Sequence, residues 1–299
     1  MQNRSFTLMK ALLIAGLTIA LYTPTSALAW SQAGGQRGGR GAAPEASGSA
    51  AATGPVDVNG KKFDPHDLSG IYTRTGGDTG FGPAKDMPPL TPAGEAKLKS
   101  VTIVGTTSRS PLVKTTTNPR QSNDLALTCN PKGFPRLLLD NYHSYHEVVM
   151  LPNRMLQLWQ EEQRPRVIWL DGRPVPSPEV IDDLGPMWYG HSVGVWQGDT
   201  LVVTTLGFDD RGWLDSYGFP RSFNAKIEER YKLTDPNTLT LTLTLTDPDY
   251  YTKPWVSDVK TWKKVPRAQI TKAGWYGIYG QGESICAPMD EKPFVKGAN

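Results

Sequence analysis

The chain is poor in the residues that carry most recognisable chemistry. Its 299 residues include two cysteines and four histidines. None of the histidines, His66, His143, His146 and His191, lies after residue 192. There is no long basic run, and the formal net charge is only +3. That balance argues against nucleic acid as a partner, because such proteins present clustered Lys and Arg to phosphate. Beyond residue 22 no apolar run is long enough to cross a bilayer.

The one apolar run sits at the start. Arg4 and Lys10 precede Ala11–Tyr22, and Ala27-Leu28-Ala29 has the small-x-small form of a signal-peptidase site. The run is too short for a membrane anchor and Pro24 closes it, so residues 1–29 read as a signal peptide. No cysteine near that site would take a lipid. Residues 30–56 are rich in Gly, Ala and Ser and cannot bury enough surface to order themselves, so they read as a tether. Residues 57–299 remain as a single β-rich domain in a periplasmic or secreted protein. In that oxidising setting Cys129 and Cys286 are expected to pair, a cross-link of about 5 kcal/mol for so long a loop. Two buried free thiols are the alternative.

Strand signals dominate after residue 140. Val148–Leu151 and Met155–Gln160 flank "PN"; Arg166–Leu170 ends at Asp171-Gly172; Ser192–Trp196 and Leu201–Leu206 flank "QGDT"; Lys226–Leu233 and Thr238–Thr246 flank "DPN". In "TLTLTLTLT" the period of two places Leu239, Leu241, Leu243 and Leu245 on one face. Leu68–Thr73 and Trp255–Lys263 add two more strands. Pro92–Ser100 is the one clear helix signal, with Thr91 as N-cap and Pro92 at its first position. Tight turns between successive strands predict an all-β antiparallel meander closed into a lipocalin-like barrel, with a two-sheet sandwich as the alternative.

In a strict meander the connections alternate between the two ends. The longer ones, 171–191, 207–225 and 247–254, then share one mouth. They carry Trp188, Tyr189, Trp213, Tyr217, Tyr250 and Tyr251, with Asp182, Asp183, Asp209, Asp210, Arg211 and Asp215 among them. Aromatic rings with a few polar groups are the usual lining of a small-molecule pocket. The same rings could instead plug the barrel end. Glu228, Glu229 and Arg230 alternate faces on their strand. Solvent-facing ion pairs are the expectation; an inward pair, drawn from "RPRVIWLDGRP" and "EERYKL", is the alternative.

GHSVG, residues 190–194, spells the G-x-S-x-G serine-hydrolase elbow. That motif needs a buried strand before the serine, a helix after it and a histidine further on. Here a Pro/Gly-rich loop precedes Ser192, a hairpin follows, and no histidine comes later. Ser192 therefore reads as the start of a strand. His143 and His146 face opposite ways if extended, and the same alternation of ends places them away from His191, so no shared metal site is expected. His191 is different. At the mouth, oriented by a loop aspartate, it could act as a general acid or base.

Five segments resemble a family of secreted proteins of Gram-negative bacteria, frequent in acidobacteria and sphingomonads, most of them uncharacterised. They are "CNPKGFPR" (129–136), "RVIWLDGRP" (166–174), "GHSVGVWQGDTLVVTTLGF" (190–208), "GFPRSFNAKIEERYKL" (218–233) and "DPDYYTKPW" (247–255). The resemblance covers roughly residues 125–260 and implies an exported β-rich domain without naming a reaction. Arg221 stands where that family carries a histidine.

The functional expectation is binding of a small hydrophobic or aromatic molecule by Trp188, Tyr189, Trp213, Tyr217, Tyr250 and Tyr251, with no cofactor and no metal. The rival is a cofactor-independent lyase, isomerase or hydratase. It would use His191 with Asp209 or Asp210 for proton transfer and Arg211 for an anionic group. A third reading is a structural envelope protein whose aromatic patch binds a partner. The sequence does not set the oligomeric state.

Overall fold

The computed structural model describes residues 54–140, 145–159 and 162–272. The expected signal peptide, most of the tether, His143 and Cys286 lie outside these residues, so the Cys129–Cys286 bond is not described. Among these residues twelve strands form: β1 (Gly70–Gly76), β2 (Thr102–Val104), β3 (Lys114–Thr116), β4 (Tyr145–Leu151), β5 (Arg154–Trp159), β6 (Glu162–Trp169), β7 (His191–Gln197), β8 (Thr200–Leu206), β9 (Lys226–Asp235), β10 (Thr238–Thr246), β11 (Trp255–Val256) and β12 (Lys260–Lys264). The helices are short: α1 (Pro92–Lys99), α2 (Arg136–Leu139), α3 (Pro178–Leu184) and α4 (Arg267–Lys272).

Nine strands close into a barrel in the order β1-β4-β5-β6-β7-β8-β9-β10-β12, and β12 returns to β1. Closure leaves the barrel wall without an unpaired edge. The register follows the alternation in the sequence. Leu239, Leu241, Leu243 and Leu245 are buried, and across the β9–β10 ladder Leu243 faces Glu229 while Leu241 faces Tyr231. Each buried pair in that ladder is thus an inward-facing pair. Trp255–Lys263, expected as one strand, is two: β11 and β12 pair with successive parts of β10.

One pairing departs from a meander. β6 and β7 run parallel, Ile168 beside Ser192 and Trp169 beside Val193. A parallel pair needs a crossover from one end of the barrel to the other, and the segment 170–190 with α3 supplies it. This reverses the alternation of ends for everything after it. The turns at 152–153, 198–199 and 236–237 share one end. The far end of the crossover, the loops 207–225 and 247–254, the segment 77–140 and the start of β4 share the other. His146 is therefore at the loop-rich end, not the tight-turn end.

The loop-rich end is packed rather than open. α1 starts as expected, with Thr91 Oγ1 accepting the Gly94 N–H at 3.0 Å. It sits against the 247–254 loop so closely that a Cβ on Gly94 would lie 2.2 Å from the Tyr250 carbonyl oxygen. Phe81, Phe134, Phe208, Phe219, Tyr251 and Trp255 are all buried there in one apolar cluster continuous with the barrel core. Inside the barrel the alternative of an inward charged pair holds. Arg166 and Glu229 form a buried ion pair, with Gln157, Ser192, Thr205 and Tyr231 bonded into it. Arg230 and Glu228, facing the other way, make an exposed pair at 3.0 Å.

Candidate functional site

Most of the expected site residues are scattered through the packing. Ser192 Oγ is buried, 3.0 Å from Arg166 Nη2 and 3.0 Å from Thr205 Oγ1, so it belongs to the barrel's internal network. His191 Nε2 lies 3.2 Å from the Gly185 carbonyl oxygen, and among the described residues no carboxylate bonds its ring. Tyr189 donates to Glu162 Oε2 at 2.7 Å and packs beside Trp159. Tyr217 stacks under the Arg109 guanidinium at 3.6 Å and bonds Thr79. Tyr251 is buried and donates to the Pro220 carbonyl oxygen at 2.9 Å, while Tyr250 is half-buried behind α1. Asp215 is buried and accepts the N–H groups of Phe81 and Tyr217. These residues serve separate parts of the structure and do not converge.

Three of the expected residues do converge. Trp188, Arg211 and Trp213 line a shallow cleft, and Asp124, Lys132 and Arg136 are also part of its wall. The chain reaches this arrangement in three steps. Asp124 caps a single turn of 3-10 helix at Leu125–Thr128 through the Ala126 N–H and holds Arg136, at the head of α2, by two bonds of 2.7 Å. The Phe134 N–H donates to the Trp188 carbonyl, which ties the same segment to the crossover loop. The Met187 N–H donates to the Gly207 carbonyl and the Asp209 N–H to the Met187 carbonyl, which ties that loop to 207–225.

The cleft is cationic, with a tryptophan ring beside each of two guanidiniums. The Arg136 guanidinium is 5.3 Å from the Trp213 ring, and the Arg211 guanidinium is 5.2 Å from the Trp188 ring. Both are within reach of cation–π attraction. Asp209 holds Arg211 in a fork of two nitrogens. The bond from Arg211 keeps the Asp209 carboxyl below the usual range despite its burial. Beneath the cleft lies Arg221, with no exposed surface and its guanidinium 4.2 Å from the Phe208 ring. Burial pushes its pKa down to about 9, against the charges of Asp209, Asp247 and Asp210.

A second hollow, at the tight-turn end, is lined by Asp57, Lys61, Asp67 and Lys264 among others. Lys61 pairs with Asp67 and Lys264 with Asp57, and Phe63 is its one aromatic ring. It lacks the aromatic walls of the cleft. His146 is buried inside the barrel among Tyr72, Trp159 and Trp262. The inward parity it shares with Val148 on β4 explains this. Among the described residues no group of three His, Cys, Asp or Glu side chains is arranged to hold a metal.

Asp124, Lys132 and Arg136 were not among the expected residues. They sit on or just before the "CNPKGFPR" segment, far in sequence from 188–213, and no local pattern announces that the two meet. No family model, curated protein or solved structure matches the chain.

Proposed function

We propose that the protein is an exported barrel that binds a compact aromatic molecule in the cleft between Trp188 and Trp213. The observation that carries this reading is the convergence of those two rings with Arg211 and Arg136 in one concave site on the loop-rich end. The cleft as it stands encloses about 10 Å³, room for one water, so a compact ring enters only as the exposed Arg211 side chain moves aside. The resemblance to secreted proteins and the signal-like N-terminus support an activity outside the cytoplasm.

Binding is favoured over proton transfer. Among the described residues no carboxylate orients the His191 ring, and the carboxylate of Asp209 is tied to Arg211 with a lowered pKa, which weakens it as a base.

A ligand seated between Trp188 and Trp213 changes their surroundings, so tryptophan fluorescence should respond saturably to compact aromatic compounds. Trp213→Ala removes one wall and is expected to weaken the response by roughly tenfold or more, the scale of losing one well-packed aromatic contact. Fluorescence indifferent to a broad aromatic panel, or a response unchanged in Trp213→Ala, would refute the site.

A further inference from the structure

We propose that the cleft selects its ligand by an acidic group: the buried guanidiniums of Arg221 and Arg136 form a carboxylate-binding floor beneath Trp188 and Trp213, which makes the ligand a small aromatic carboxylate. This rests on the aromatic-ligand reading above and narrows it.

The first support is an unmet demand for acceptors. Arg221 is fully buried, yet its Nε and Nη1 have no hydrogen-bond partner, and its one bond is a long one, Nη2 to the Asp209 carbonyl oxygen at 3.4 Å. Arg136, which lines the cleft itself, spends Nη1 and Nη2 on Asp124 and leaves a buried Nε unpaired. Buried polar groups are nearly always bonded, and a buried charge without a partner is costly. Three orphaned nitrogens on two guanidiniums mark a place built for an acceptor.

The second support is position. Gly212 belongs to the cleft wall, and a Cβ there would lie 2.6 Å from Arg221 Nη2. Gly133 approaches from the other segment, where a Cβ would lie 3.5 Å from the same nitrogen. Two glycines therefore bring backbone close against the guanidinium and, having no side chains, leave only a thin layer between it and the cleft. The third support is charge balance. Arg136 has Asp124, Lys132 has Asp140 and Arg211 has Asp209. Among the described residues Arg221 has no carboxylate within bonding distance; Asp209, Asp210 and Asp247 act on it only at longer range. A carboxylate accepts two parallel N–H groups from a guanidinium, whereas a neutral ring offers nothing in return.

The test uses the mature chain with two matched probes, benzoate and benzamide, followed by calorimetry and thermal melting. Benzoate is expected to bind roughly tenfold or more tighter than benzamide and to raise the melting temperature saturably, the scale of a charge-assisted bond gained. Arg221→Met is expected to abolish that preference while melting at or above the ligand-free parent, because it removes an uncompensated buried charge. Arg221→Lys keeps the charge without the fork and is expected to fold and to retain part of the preference. Equal binding of the two probes by the parent overturns the carboxylate inference and leaves the aromatic cleft standing. Binding of neither probe removes the aromatic reading as well. A benzoate preference that survives in Arg221→Met, or collapse of the fold in that variant, assigns Arg221 a structural role and overturns the inference.

Discussion

Glu229→Gln is expected to lower the stability of the barrel by about 3–5 kcal/mol, the cost of leaving one member of a buried ion pair without its partner. The geometry explains the size. Glu229 has no exposed surface and accepts from Arg166 Nη1 at 2.8 Å and Nη2 at 2.5 Å, from Thr205 Oγ1 at 2.8 Å and from Tyr231 Oη at 2.7 Å. Glutamine keeps the shape but brings no charge, and its amide nitrogen donates toward groups that themselves donate. Arg166, packed 3.5 Å from the Phe134 ring, has no route to water. The double variant Arg166→Met/Glu229→Leu should recover much of the loss, since a packed apolar pair replaces a buried ionic one at little net cost. Recovery is incomplete because Ser192, Thr205 and Gln157 lose partners. Urea unfolding of the three proteins measures this. A loss under about 1 kcal/mol for Glu229→Gln would mean that water reaches the pair.

Acidification from pH 6.5 to 4 is expected to cost the fold about 3 kcal/mol through His146 alone, because each tenfold change in proton affinity is worth about 1.4 kcal/mol. Burial pushes the imidazole from its ordinary 6.5 down to about 4. Its ring is enclosed by Tyr72, Trp159 and Trp262, at centroid distances of 5.7, 6.4 and 5.6 Å, and its Nε2 has no partner. A depressed folded pKa favours the neutral form. The contribution is therefore complete above pH 6.5 and disappears as the pH falls through 4. Asp215 and Asp247, whose carboxyls are raised by burial, act in the opposite sense. Comparison with His146→Phe isolates the histidine. The parent-minus-variant stability difference, from urea midpoints at several pH values, should slope across that window. A flat difference would place a hydrated or paired imidazole at position 146.

The parts of this architecture legible in sequence are those set by local period and turn chemistry. The Thr/Leu alternation of 238–246 marked both the extent and the buried face of β10. Thr91 and Pro92 marked the start of α1. The parallel β6–β7 pair was not legible, because "RVIWLDG" looks the same whether its neighbour turns back or crosses over. The only hint was the length of 171–191, enough to span the barrel. That one pairing moved His146 to the loop-rich end. The burial of Arg166 and Glu229 had a parity signal, since residues two apart share a face, but parity cannot say which face is inside. The cleft was half visible: Trp188, Arg211 and Trp213 lie on loops long enough to suggest function. Arg136 and Asp124 come from a distant segment of the chain, and Arg221 reads as one more loop arginine until its burial is seen.

The cleft itself is tested most directly by soaking crystals of the protein with benzoate and locating the bound molecule. The expected result is a ring between Trp188 and Trp213 with its carboxylate against the guanidinium floor. Benzoate bound elsewhere, or an empty cleft at concentrations that saturate binding in solution, would contradict the account.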